Sequence, residues 1–434
     1  MKPYFLLFAL LAIFSCDPDK FATNDDEPEV EIDTFEITDF LWQVPVNDAI
    51  DPSSLETLSR YPILHNGTVV WNLPGQAGFV AIDTIDGTKI WDNRGSTNNL
   101  WNPEAPKVQD NYLYYVKAGG FRKMNLNTGI IEIGYLWPNK DEFMDRSIEI
   151  DKDYLYAPIS EYESLSLFSE WVRSPLSDLT PESWERFDRQ LEEENDGFEP
   201  ENLDPTFFTK SNGDELIIYI QNNIKYEDEW QNFSRINAFN ITENKMEWML
   251  NGNFHPYEPI IEGNRIYTFS FDYYYCIDSE TGEVIWKKSN SESGLNVGYN
   301  GSNLKLVSYE DIIVSIGSNE RIVALNKETG GLKWSRTFEV LTNQEDRFSV
   351  GSLDGRINIF KNKLHYINDR GDVMVLDLNN GRTNRYYLPE RSVYDDAGNT
   401  LFGQDFNGHD IIIDDNGVIY ASDGHRFLAF RLPE

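Results

Sequence analysis

The sequence predicts an all-β fold: an eight-bladed β-propeller of four-stranded antiparallel blades, closed by pairing an N-terminal strand with the C-terminal blade. Three observations predict it. The chain of 434 residues is 14% aromatic, with 23 Tyr, 26 Phe and 11 Trp, and these residue types favour half-buried strands. A strand-and-turn repeat of the size of one supersecondary unit recurs along most of the chain. The last copy of that repeat lacks one strand, and the first segment of the domain supplies one.

The repeat reads as two or three apolar residues, Asp or Asn, three residues, Gly, three residues and Trp. It occurs as Ala81-Ile82-Asp83 with Gly87 and Trp91, as Cys276-Ile277-Asp278 with Gly282 and Trp286, and as Ala324-Leu325-Asn326 with Gly330 and Trp334. A variant has Ala238-Phe239-Asn240, Asn244 and Trp248. Two weaker copies lose the Trp: Asn125 with Gly129 and Ile133, and Asp377 with Gly381 and Arg385. The apolar residues make a strand packed between neighbouring sheets. The Asp or Asn bonds the backbone two residues on and closes a turn. Gly supplies a positive φ, and Asn244 is the residue type best able to replace it. The Trp returns on the next strand, where a large ring fills the gap between blades. A turn accounts for these carboxylates without a metal.

Each copy is preceded by a second hairpin. Before Asp83 stand Pro62-Ile63-Leu64 and Thr68-Val69-Val70-Trp71, joined by Asn66-Gly67. Before Asp278 stand Pro259-Ile260-Ile261 and Arg265-Ile266-Tyr267, joined by Gly263-Asn264. Four short antiparallel strands make one blade. A divergent blade fills the gap between residues 125 and 240, with Ile148-Glu149-Ile150, Tyr154-Leu155-Tyr156 and Trp184. Residues Ser160 to Pro205 read there as an acidic insertion, with Glu192-Glu193-Glu194 and Glu199-Pro200-Glu201. Within it, Thr180-Pro181 is either the cap and first turn of a short helix or the approach to an outer strand, Ser183 to Phe187, the reading we favour. An eighth blade begins with Ile411-Ile412-Ile413, Val418-Ile419-Tyr420 and Phe427 to Phe430, then the sequence stops. Phe40-Leu41-Trp42-Gln43-Val44 is a lone strand with a Trp, and adding it completes the ring and removes open strand edges.

The first residues read as an address and a tether. Lys2, the apolar run Tyr4–Phe14 and Ser15 have the order of a secretory signal peptide, and the run is too short to span a bilayer. Cys16 directly after Ile13-Phe14-Ser15 resembles the bacterial lipobox, which implies cleavage and lipidation at Cys16. The acidic stretch Asp25 to Glu31 is polar and self-repelling, as a tether would be. The expected organisation is residues 1–15 signal peptide, 16–35 lipidated acidic tether and 36–434 propeller, with the protein held on the outer membrane and its leaflet open.

A formal charge of −36 excludes the basic face that nucleic-acid binding needs. It serves solubility, or it meets a basic partner or divalent cations. With Cys16 lipidated, Cys276 has no disulfide partner and reads as a buried structural thiol. The five histidines, His65, His255, His365, His409 and His425, are scattered without ligand spacing. No phosphate loop, zinc motif or nucleophile elbow occurs. No catalytic, cofactor or metal residue is therefore expected. The aromatic run Phe271 to Tyr275 reads as half-buried strand, with a binding platform as the alternative.

The repeat resembles the quinoprotein-type repeat, best in Asp278-Ser279-Glu280-Thr281-Gly282-Glu283-Val284-Ile285-Trp286. The resemblance implies the propeller fold and leaves activity open. One branch of that superfamily comprises quinone-dependent dehydrogenases, many with a vicinal cysteine pair that this sequence lacks. The other comprises non-catalytic lipoproteins similar to the scaffold lipoprotein of the outer-membrane barrel-assembly machinery. That second resemblance implies envelope or outer-membrane proteins as partners. A surface glycan-binding lipoprotein, with Trp101 or Trp137 as stacking platforms, is the alternative.

Overall fold

The computed structural model describes residues 32–45, 60–73, 78–93, 106–117, 120–136, 142–144, 148–161, 168–191, 201–226, 229–254, 259–270, 272–289, 305–316, 321–337, 357–367, 371–388, 393–394, 400–402, 410–423 and 426–433. Eight sheets of consecutive antiparallel strands succeed one another as blades. Blade 1 is Arg60–His65, Thr68–Leu73, Gly78–Asp83 and Lys89–Asp92, from the innermost strand outward. First strands of neighbouring blades line the centre: Arg60–His65 lies beside Ile412–Ile413 of blade 8, which lies beside Asn358–Phe360 of blade 7.

The ring closes as the sequence predicts. The N-terminal strand Phe40–Pro45, here β2, forms the outermost strand of blade 8, with Phe40 opposite Phe430, Trp42 opposite Ala429 and Val44 opposite Phe427. One strand precedes it. Asp33–Glu36, here β1, pairs in parallel with Thr383–Tyr387 and gives blade 7 a fifth strand. The boundary drawn between tether and propeller at residue 36 therefore falls inside ordered structure. Its physical reasons are side chains that composition does not weigh: Phe35 stacks on Tyr386 with centroids 5.2 Å apart, and Ile37 is fully buried among Ile367, Leu388 and Ile411.

The stretch 160–205 needs a correction. It is not an irregular insertion but mostly blade. Phe168–Pro175 and Glu185–Leu191 are the outer strands of blade 3, and Glu201–Thr209 is the first strand of blade 4. Both readings of Thr180 are partly realised: a single 3-10 turn, Pro181–Ser183, leads into the strand, and Thr180 makes no side-chain cap. Charge density misleads here because an outermost strand has a solvent face. Glu185 and Arg186 are exposed while Phe187 packs inward. Residues 192–200, with most of the acidic run, lie outside the described residues. Blade 3 also departs from four strands, since Glu142–Met144 and Glu149–Asp151 both pair with Tyr154–Glu161.

The core lies between the sheets. Trp71 of blade 1 stacks on Phe427 of blade 8 at 5.3 Å, Phe79 meets Tyr115 of blade 2 at 5.4 Å, and Trp171 of blade 3 meets Tyr219 of blade 4 at 5.5 Å. Aromatic pairs of this geometry add to the burial of their area. Phe271 lies outside the described residues, but Tyr274 and Tyr275 are buried, so the strand reading of that aromatic run holds.

Candidate functional site

The turns of the repeat behave as their residue types require. Asp83 Oδ1 accepts from Ile85 N at 2.7 Å, Asn326 Oδ1 from Glu328 N at 3.0 Å and Asp377 Oδ1 from Asn379 N at 2.8 Å. In these bonds the side chain closes its own turn. The glycines at 87, 129, 282, 330 and 381 all have positive φ, as does Asn244.

Those glycines have a second role that single-copy reasoning misses. Each receives the tryptophan of the preceding blade. A Cβ on Gly129 would stand 2.5 Å from the Trp91 ring, one on Gly282 2.7 Å from Trp248, one on Gly330 2.7 Å from Trp286, and one on Gly381 2.7 Å from Trp334. Trp42 covers Gly87 in the same way and so carries the lock across the closure. Each indole N–H then donates to a backbone carbonyl of the next blade: Trp91 to Leu126 at 2.9 Å, Trp248 to Ser279 at 3.1 Å, Trp286 to Lys327 at 2.9 Å and Trp334 to Leu378 at 3.1 Å. The signal was present in the sequence, in the pairing of each Trp with the Gly of the following copy. Between blades 3 and 4, Phe187 stacks on Phe239 at 5.6 Å instead. Trp184 meets Phe121 of blade 2, the blade before its own.

The opposite ends of the strands, away from these turns, hold polar pairs, several with a buried member, that no motif announces. Arg385 donates to Asp372 at 2.7 Å, with both side chains buried. Arg186 reaches the buried Glu170 at 2.6 Å. Gln221 accepts from Arg235 at 2.9 Å and Asn237 at 3.3 Å. Arg426 holds Asp423 at 2.9 Å and donates to Gln43 of β2 at 2.8 Å. Tyr274 Oη donates to Ser315 across a blade junction at 2.7 Å. Removing one partner of such a pair is costly because it leaves the other buried and uncompensated.

Reactive groups are held quiet. Burial pushes the Cys276 thiol up to about 11, so it stays protonated near neutral pH and is a poor nucleophile. Burial, with Lys363 nearby, pushes His365 down to about 4 and keeps it neutral. His65 is half-buried at the end of the strand Arg60–His65, hydrogen-bonded to Asn66 and Asn111. Among the described residues no group of three or more His, Cys, Asp or Glu is arranged to hold a metal ion, and no helix is long and apolar enough to cross a membrane. Cys16, Trp101, Trp137, His255, His409 and His425 lie outside the described residues.

Comparison with known proteins gives the same fold. The family model described as outer membrane protein assembly factor BamB matches residues 230–432. A computationally designed protein, Ika8, superimposes with a TM-score of 0.54 at 13% identity, covering 91% of this chain and 100% of its own. Quinohemoprotein alcohol dehydrogenase from Comamonas testosteroni gives a TM-score of 0.54 at 11% identity, over 91% of this chain and 77% of its own. BamB from Moraxella catarrhalis gives 0.34 at 11% identity, over 85% of this chain and 80% of its own. No curated protein matches the sequence. At these identities the structural likeness to Ika8 and to the dehydrogenase is one of fold.

Proposed function

We propose that this chain is a membrane-anchored, non-catalytic propeller that serves as a protein-binding scaffold in the outer-membrane assembly or transport machinery of the cell envelope. The observation that carries the reading is the match of residues 230–432 to the BamB family model. The dehydrogenase likeness extends to the fold, and glycan platforms would rest on Trp101 and Trp137, outside the described residues.

In this reading residues 1–15 are removed, Cys16 is acylated and residues 17–31 separate the lipid from the ring. Acyl chains on one cysteine anchor firmly, since each buried CH₂ contributes about 0.8 kcal/mol. Mass spectrometry of the native N-terminus is expected to find acylated Cys16. Cys16→Ser is expected to move the protein from the membrane to the soluble fraction with its melting temperature unchanged. An unmodified N-terminus at another residue, or membrane retention of the variant, would contradict the anchor.

A further inference from the structure

The outermost strand of each blade leaves one backbone edge for another chain to pair with, and most blades spoil that edge. Pairing of the outermost strand is interrupted between Ala81 and Ile82 in blade 1, Ile131 and Ile133 in blade 2, and Ser169 and Trp171 in blade 3. It is interrupted again at Ala238/Phe239, Cys276/Ile277 and Ala324/Leu325 in blades 4 to 6, and at Phe40/Trp42 in blade 8. Such bulges twist an edge away from further pairing. Blade 7 is different. Its pairs Val373–Tyr386, Met374–Arg385, Val375–Asn384 and Leu376–Thr383 run without a break. This regular edge is the one on which β1 lies, with Asp33 opposite Asn384 and Glu36 opposite Tyr387.

We propose that the edge of Thr383–Tyr387 is a docking site for an extended acidic segment of a partner protein, with β1 as a weak resident that the partner replaces. The proposal rests on the scaffold reading above and gives it a contact. β1 is short and mostly exposed. Its ion pair, Asp33 with Arg382 at 2.5 Å, has side chains 41% and 69% exposed, and exposed pairs hold weakly. Phe35 covers Tyr386 while remaining 37% exposed. Ile37 is fully buried, and its N–H donates to Tyr387 O at 2.8 Å, so β1 can leave while the chain stays pinned behind it. The contacts of β1 define the replacement: extended backbone, a carboxylate facing Arg382 and an aromatic ring two residues on over Tyr386. Main-chain bonds supply affinity in strand addition, and alternate side chains supply specificity.

The probe is a labelled peptide with the sequence of residues 31–38, followed by fluorescence anisotropy against the full chain. It is expected to bind Asp33→Ser/Phe35→Ser protein at least tenfold more tightly than wild type, because the resident is weakened. Tyr387→Pro in that background is expected to abolish binding by removing the outward backbone donor. Arg382→Glu, at an exposed side chain that spares the fold, is expected to weaken binding about tenfold, and a peptide carrying Asp33→Lys to restore it. Equal affinity across these variants, or no binding at millimolar peptide, overturns the proposal. A concentration-dependent dimer of the full chain that Tyr387→Pro removes would assign the edge to a second copy and likewise overturn the partner strand. If a pull-down recovers the same envelope proteins with and without Tyr387→Pro, the edge is wrong and the scaffold reading stands.

Discussion

Deleting Phe40–Val44 is expected to lower the melting temperature by about 10 °C, far more than five residues near a terminus usually cost. The strand withdraws Phe40, Trp42 and Val44 from the junctions on either side of blade 8. Trp42 is buried and Phe40 and Val44 are half-buried, so at about 1.5–3 kcal/mol for full burial of an apolar side chain the loss amounts to roughly 4–5 kcal/mol, a large share of the whole stability of many domains. The loss also uncovers Gly87, removes the Trp42 Nε1 bond to Thr84 O at 3.0 Å and strands the edge of Arg426–Phe430. Leu41 is the internal control. Its side chain is 49% exposed, so Leu41→Ser is expected to be near neutral. Thermal melts of the three proteins check this, and a truncated chain melting within about 2 °C of full length would contradict closure by β2.

Replacing Gly129 by Ala is expected to cost about 3 kcal/mol, roughly 1 from its left-handed backbone and the rest from the Trp91 ring. Gly263 separates the two terms. Its φ is +59 but nothing lies within 4 Å of its virtual Cβ, so Gly263→Ala is expected to cost only about 1 kcal/mol. Trp91→Ala alone is expected to cost about 3 kcal/mol, at the low end for large aromatics because the ring is half-buried. Without the ring the added methyl meets no obstacle. The Gly129→Ala/Trp91→Ala pair should therefore fall short of the sum of its parts by about 2 kcal/mol. Urea denaturation of the four proteins gives the cycle. Additivity within about 0.5 kcal/mol would mean that the ring is not what demands glycine at 129.

The legible part of this fold was the part written as repeated local chemistry. An Asp or Asn that closes its own turn and a Gly or Asn244 at positive φ located six turns, four of them with a Trp on the returning strand, and the leftover strand Phe40–Val44 located the closure. What the sequence hid depends on neighbours far apart in the chain. Trp91 and Gly129 belong to different copies, so each looked complete without the other. Asp33–Glu36 resembled the acidic segment before it because its partners, Arg382 and Tyr386, lie some 350 positions away. Residues 168–191 looked irregular because charge on an outer strand hides the alternation beneath it. The candidate site was less legible than the fold. The buried pair Asp372–Arg385, and Arg186 reaching in to the buried Glu170, follow no motif, since any strand position near the blade junction can host such a contact.

Chemical crosslinking in native outer membranes, followed by capture of this protein and identification of what is bound, tests the scaffold reading most directly. The expected result is recovery of outer-membrane assembly or transport proteins with wild type and their loss with Cys16→Ser, while the purified protein reduces no dye when supplied with pyrroloquinoline quinone and calcium. Dye reduction by the purified protein, with no envelope protein captured, would contradict the account.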